Sequence, residues 1–221
     1  STVKRQFPSP AILPRLRERY ESEFVPRWEN EWGGKSIVQN GFAGPNAVRL
    51  EGNDYLGISG HQDIVNAHIN TLRRDDTFVV QSSVFLVEEH PCRSLEKALA
   101  AWVCKEDGFI CQSGYMANVG LIQAIADEQT PVYIDALAHT SLWEGARAAK
   151  APAYVFRHND PEHLDKMMKR HGPGLVVVDS VYSTTGAMCP LKRMVEITEK
   201  NASMILVDES HSLGTHGPQG A

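Results

Sequence analysis

The chain has 221 residues, of which 42% are hydrophobic and 22% charged, and carries a formal net charge of −5 at pH 7. That length can bury a full core as one large domain, or as one domain with an appendage. The acidic balance and the scattered basic residues exclude an electrostatic case for nucleic acid, and no apolar run approaches the length of a membrane span. Cys92, Cys104, Cys111 and Cys189 show no CxxC spacing and no signal peptide precedes them, so reduced thiols in a cytoplasmic protein are expected.

Residues 10–24 place Leu13, Leu16, Tyr20 and Phe24 at helical spacing, which predicts an amphipathic entry helix with Arg5, Arg15, Arg17 and Arg19 on its wet face. Residues 28–44 carry four glycines and no sustained period. They read as a linker or a small peripheral strand pair, with the tryptophans as packing anchors. Residues 94–103 set Leu95, Ala98, Leu99 and Trp102 on one face and predict a long helix. Beyond it, short apolar runs at 108–111, 132–135, 153–156, 175–179 and 204–208 alternate with helical patterns beginning near Met116, Ser141, Pro161 and Leu191. Parallel strands need crossover connections, so this alternation predicts an α/β fold with a mostly parallel sheet covered by helices. The expected organisation is an N-terminal helix and linker arm over residues 1–58 and a large α/β domain over residues 59–221.

The last two strands end in polar chemistry, Asp179, Tyr182 and Ser183 after one and Asp208, Glu209, Ser210 and His211 after the other. Ligands of open α/β sheets bind beyond the carboxyl ends of the strands, so an enzyme is expected. Asp208 closes an apolar strand, where an unpaired carboxylate is costly. It needs a cationic or hydrogen-bonding partner, unless it merely caps the next turn. His211 lies within reach of the same pocket or is a solvated loop residue, a reading that also suits His216. Asp208, His211 and His216 have no recognised ligand spacing, so no metal is expected. Ser183 sits in turn chemistry, and His139 follows a strand end. Ser113, Gly114 and Tyr115 lie between a strand and a helix, where small residues and a helix N-terminus suit an anion. Asn53 in GNDYLG reads as a turn residue or a substrate contact, and His158, His163 and His171 read as surface residues.

VVVDSVYSTTG and ILVDESHSLGTHG, together with EGNDYLGISGH, CQSGYMANVGL and YIDALAHTSLWEGARAA, resemble the α-oxoamine synthases. These enzymes use pyridoxal 5′-phosphate (PLP) to join an amino acid to an acyl-CoA. The resemblance runs from Glu51 to the last residue, and SGYMANVG, HTSLWEGAR, RHGPG and DESHSLGTHGP are most similar to the autoinducer synthases that make long-chain α-amino ketones. It implies the fold type I of PLP-dependent transferases. It also implies PLP held by Ser113, Gly114, Tyr115, His139, Ser183, Asp208 and His211: Asp208 opposite a protonated pyridine nitrogen, His139 flat over the ring, Ser183 at the phenolic oxygen, and His211 at that oxygen or at the reacting carbonyl. His139, Asp208 and His211 are the implied catalytic residues, and Asn53 the substrate contact. The implied reaction is decarboxylative condensation of a small amino acid with a medium or long acyl-CoA in a cytoplasmic homodimer whose sites lie at the interface. An aminotransferase or lyase of the same fold, or a noncatalytic partner subunit, is the alternative.

Two departures stand against that pattern. Where many relatives carry a glycine-rich run, this chain has VVQSSVFLVEEHPCRSLE, which points away from the ordinary substrates of the family. No lysine occurs from Asp208 to Ala221, and the nine upstream lysines do not match the family's Schiff-base motif. A truncated, cleaved or incompletely observed chain, lacking the lysine and a small C-terminal domain, is therefore expected, with a natural lysine-free subunit as the other reading.

Overall fold

The computed structural model describes residues 14–31, 33–34, 44, 46–48, 52–74, 88 and 90–220. The expectations at Arg5 and Leu13, over most of the 28–44 linker and at residues 81–87 fall outside them. The chain divides into two compact units, Ser1–Gly52 and Asn53–Ala221.

In the first unit, α1 (Pro14–Arg19) runs on into π-helical turns at Tyr20–Phe24 and Arg27–Glu31. The entry helix thus extends past Trp28, where the glycine-rich composition predicts a linker. Trp28 is 45% exposed. The backbone N–H of Gly34 returns to the Trp28 carbonyl, a turn that needs the left-handed φ of Gly33 and Gly34.

The second unit begins with α2 (Gln62–Arg74), for which no helix is predicted above. Ile64, Ile69 and Leu72 are exposed, so the apolar residues of α2 do not form a strong buried stripe. Then come α3 (Pro91–Trp102), α4 (Gly114–Ile125), β1 (Val132–Asp135), α5 (Thr140–Ala148), β2 (Ala153–Phe156), α6 (Pro161–His171), β3 (Leu175–Asp179), α7 (Leu191–Lys200) and β4 (Met204–Asp208). Four of these helices begin at a side-chain cap. Ser113 accepts from the N–H of Met116, His139 from Ser141, Asp160 from His163 and His90 from Cys92. These bonds satisfy donors that the first helical turn leaves open.

The sheet is all parallel in the order β2-β1-β3-β4, with Asp179 in register with Asp208. β1 and β3 are buried on both faces, which is why they read as unbroken apolar runs. Their alternate residues feed two cores. Val132, Ile134, Leu175 and Val177 pack with Ile122, Leu142 and Ala146 from α4 and α5. Tyr133, Val176 and Val178 pack with Leu164, Met168, Met194 and Ile197 from α6 and α7. Each such side chain contributes about 1.5–3 kcal/mol by leaving water. The crossover α5 lies on one face and α6 and α7 on the other, so the strand order reverses between β1 and β3. In open α/β sheets the ligand crevice lies at such a reversal, outside the carboxyl ends of the strands.

Residues 108–111, expected as a strand, are not one. The Gly108 N–H is taken by the Asp107 carboxylate and the Ile110 N–H by Glu96 Oε1 at 2.9 Å. Glu96, buried on α3 and held by Arg93 at 2.7 Å, captures a donor that a sheet would otherwise use. His158, His163 and His171 are likewise not plain surface residues. His158 bonds Asp135, His163 accepts from the Arg157 N–H, and His171 stacks on Tyr154 at 3.9 Å between ring centroids.

Candidate active site

Three strand ends meet at the crevice, and each carries an aspartate. Asp135 ends β1, is fully buried, and accepts from Leu137 N, Asn159 N and His158 Nδ1 at 2.8–2.9 Å. The Leu137 bond anchors the start of the loop that leads from β1 to His139, and the other two tie the strand end to the turn after β2. Asp179 ends β3 and accepts the His139 backbone N–H at 2.9 Å. The loop bearing His139 is therefore tied to two neighbouring strands, while its residue remains exposed at the crevice.

Asp208 ends β4 and is 9% exposed. Its Oδ1 accepts from Ser210 N at 2.9 Å and its Oδ2 from Asn118 Nδ2 at 2.7 Å. Asn118 also reaches Ser141 Oγ at 2.9 Å, and that hydroxyl lies 2.7 Å from His139 Nδ1. Hydrogen bonding thus connects Asp208 to His139 through two buried side chains on α4 and α5. The β3 and β4 ends are also clamped together, because Ser180 donates its N–H and its hydroxyl to the Asp208 carbonyl.

The two in-register carboxylates have opposite electrostatics. Burial alone pushes Asp208 upward, but the hydrogen bonds of Ser210 and Asn118, with the nearby His139, outweigh it and hold the carboxyl below its ordinary value. For Asp179, burial outweighs the single bond from His139, and with the charge of Asp208 beside it the carboxyl is pushed up to about 6. Asp208 is thus favoured as the anion of the site, and the Asp179 carboxyl is the more readily protonated of the two. Burial also pushes the Cys189 thiol up to about 12, so it offers no thiolate nucleophile.

The sequence-predicted residues fall into groups. Ser113, Gly114 and Tyr115 open α4 next to His139, the Tyr115 and His139 rings meeting edge to face at 6.3 Å. A Cβ on Gly114 would lie 3.3 Å from Ser210 Oγ, which shows how closely this turn approaches the β4 end. Asp208, His139 and the Ser113–Gly114–Tyr115 turn are therefore brought together. His211 instead bonds through Nδ1 to the Tyr55 hydroxyl, which lies 3.5 Å from Asn53 Oδ1. Asn53 and His211 thus share a second cluster. Ser183 is exposed in the turn after β3, and its side chain makes no hydrogen bond among the described residues.

Asn118 and Ser141 were not singled out by motif reasoning. Asn118 did leave a signal: it is the one polar residue inside ANVGLI and stands one helical turn before the buried Ile122. Among the described residues no three His, Cys, Asp or Glu side chains gather as a metal site. Lys97, Lys150, Lys169 and Lys200 pair with Glu88, Glu128 and Asp165, not with the site carboxylates.

The aminotransferase class I and II family model matches residues 45–221. The chain belongs to that family. Within it, the α-oxoamine synthase resemblance is supported by relatives in sequence and structure. The CAI-1 autoinducer synthase of Vibrio campbellii is 41% identical over 214 residues, 97% of this chain and 54% of that protein. A putative 8-amino-7-oxononanoate synthase of Geobacillus kaustophilus is 33% identical over 86% of this chain and 49% of its own length. A solved serine palmitoyltransferase from S. paucimobilis, with bound PLP–myriocin aldimine, aligns with a TM-score of 0.80 and 28% identity over 93% of this chain and 55% of that one. The chain thus spans about half the length of the curated relatives it matches.

The site residues of this aminotransferase-family chain fit the cofactor that the resemblance implies. A carboxylate offers about four acceptor positions, and Asp208 spends two of them on Ser210 and Asn118. The remaining lone pairs of a buried anion suit a cationic ring nitrogen. The α4 N-terminus, opened by Ser113 and Gly114, suits a phosphate. Among the described residues no helix is long and apolar enough to cross a membrane.

Proposed function

We propose that this chain binds PLP and forms part of an acyltransferase that condenses a small amino acid with a medium or long acyl-CoA, releasing free CoA and CO2 and leaving an α-amino ketone of the kind used as a signal or its precursor. The observation that carries the reading is Asp208, a buried carboxylate held ionised at the end of β4. The likeness to an autoinducer synthase over nearly the whole chain supports the substrate class. A cytoplasmic homodimer with the site at its interface completes the reading.

Bound PLP would supply an electron sink for the charge that develops at the amino acid's α-carbon. Asp208 would hold the proton on the ring nitrogen, and Asn118 and Ser210 would keep Asp208 charged and aimed. His139 would cover one ring face, restrain its tilt and exclude water there. The backbone N–H groups at Ser113, Gly114 and Tyr115 would hold the phosphate. Ser183 and His211 would bond the phenolic oxygen, and Asn53 would contact the substrate.

The test is to incubate the intact protein with PLP, a small amino acid and acyl-CoA chains of different lengths while following free thiol. Release should be fastest with medium or long chains. A preference for acetyl-CoA, or no release with any chain, would overturn the substrate reading. His139→Ala should weaken PLP retention, and an unchanged affinity and absorption spectrum would reject the stacking role.

A further inference from the structure

We propose that Asn118 is a positioning residue: it sets the direction of a hydrogen-bond chain from Asp208 to His139 and so holds His139 as its Nε2–H tautomer. The argument begins at the charged end. Ionised Asp208 can only accept, so the Asn118 side chain must turn its NH2 group toward it, which settles the amide orientation. The second N–H of that group then points at Ser141 Oγ, 2.9 Å away. Ser141 is fully buried and owns one hydroxyl proton. The Asn118 N–H fills one of the oxygen's two lone pairs and offers no acceptor, so among the described partners the hydroxyl proton has His139 Nδ1, 2.7 Å away, to donate to.

The backbone gives the same direction independently. The Ser141 N–H, which can only donate, also faces His139 Nδ1, at 3.3 Å. Nδ1 thus receives two donors and carries no proton of its own. A neutral imidazole must then bear its proton on Nε2. The fixed negative charge at one end of the chain therefore dictates which edge of the His139 ring is a donor. The value of that donor to the chemistry rests on the PLP reading above, whereas the tautomer does not.

The test is nitrogen NMR of the intact protein carrying isotope-labelled histidine, recorded with and without PLP. His139 should be the Nε2–H tautomer in both samples. A protonated Nδ1 in the unsubstituted protein would overturn the proposal without any variant. In Asn118→Asp the new carboxyl lies against Asp208 and shares one proton with it, leaving its other oxygen as an acceptor toward Ser141, so Ser141 should turn its hydroxyl there and accept from His139, shifting the ring toward Nδ1–H. Adding Ser141→Ala to that variant should restore Nε2–H, because only the backbone donor then remains. An unchanged tautomer in Asn118→Asp would refute the chain's control, a result that a purely structural role for Asn118 predicts. Failure of PLP to bind, with the tautomer as stated, would sink the functional reading and leave this one standing.

Discussion

Replacing Asp179 by Asn should stabilise the protein, and by an amount that grows with pH. Asp179 is 4% exposed, and burial raises its carboxyl from 3.8 to about 6. Because the folded pKa is the higher one, the native state holds a proton that the unfolded chain has already released between those two values. Stability is then full below 3.8, falls as pH rises toward about 6, and stays reduced above it. At 1.36 kcal/mol per pH unit the gap amounts to about 3 kcal/mol. Asn has no charge to bury, and its carbonyl oxygen can still accept the His139 N–H. Urea unfolding of cofactor-free protein at several pH values between about 4.5 and about 8 would measure the difference between Asp179→Asn and the unsubstituted protein. The variant's advantage should be about 1 kcal/mol at the acid end and approach about 3 kcal/mol at the alkaline end. An advantage independent of pH, or a variant less stable at the alkaline end, would refute the assignment of the burial penalty to this carboxyl.

Two further substitutions probe what positions the site. Gly145→Ala would put a Cβ 2.6 Å from Ile122 Cδ1 where α5 lies on α4, so it should cost about 1–3 kcal/mol in thermal or urea unfolding. Ile122→Val, by trimming the contacting side chain, should recover part of that loss, and a neutral Gly145→Ala would show that the helices do not pack this tightly. Ser113→Ala removes the cap on the Met116 N–H and should cost about 1 kcal/mol, with weaker phosphate retention if the α4 N-terminus holds that group. Undiminished stability would show that the cap is replaced by water.

The parallel sheet was legible because β1 and β3 are buried on both faces and so appear as uninterrupted apolar runs. The run at 108–111 looked the same, but its backbone donors go to Asp107 and Glu96 carboxylates, one of them fourteen residues away on α3. Local pattern carries no information about such long-range capture. The entry helix continued beyond Trp28 because composition marks only where glycine weakens a helix, not where one stops. At the site, motif spacing singled out Asp208 and His139 at strand ends, and the fold brings their surroundings together. What spacing could not show is the path between them, since Asn118 and Ser141 lie 23 residues apart and meet only when α4 packs on α5. The turning of His211 toward Tyr55, 156 residues earlier, was hidden for the same reason.

The central claim is that Asp208 keeps a bound pyridine nitrogen protonated. The most direct measurement is the chemical shift of ring-nitrogen-labelled PLP in the intact protein and in Asp208→Asn, with retention of fold confirmed by circular dichroism. The unsubstituted protein should hold the nitrogen protonated at neutral pH, and the variant should bind PLP with that nitrogen unprotonated. An unprotonated nitrogen in the unsubstituted protein, or one still protonated in Asp208→Asn, would contradict the account.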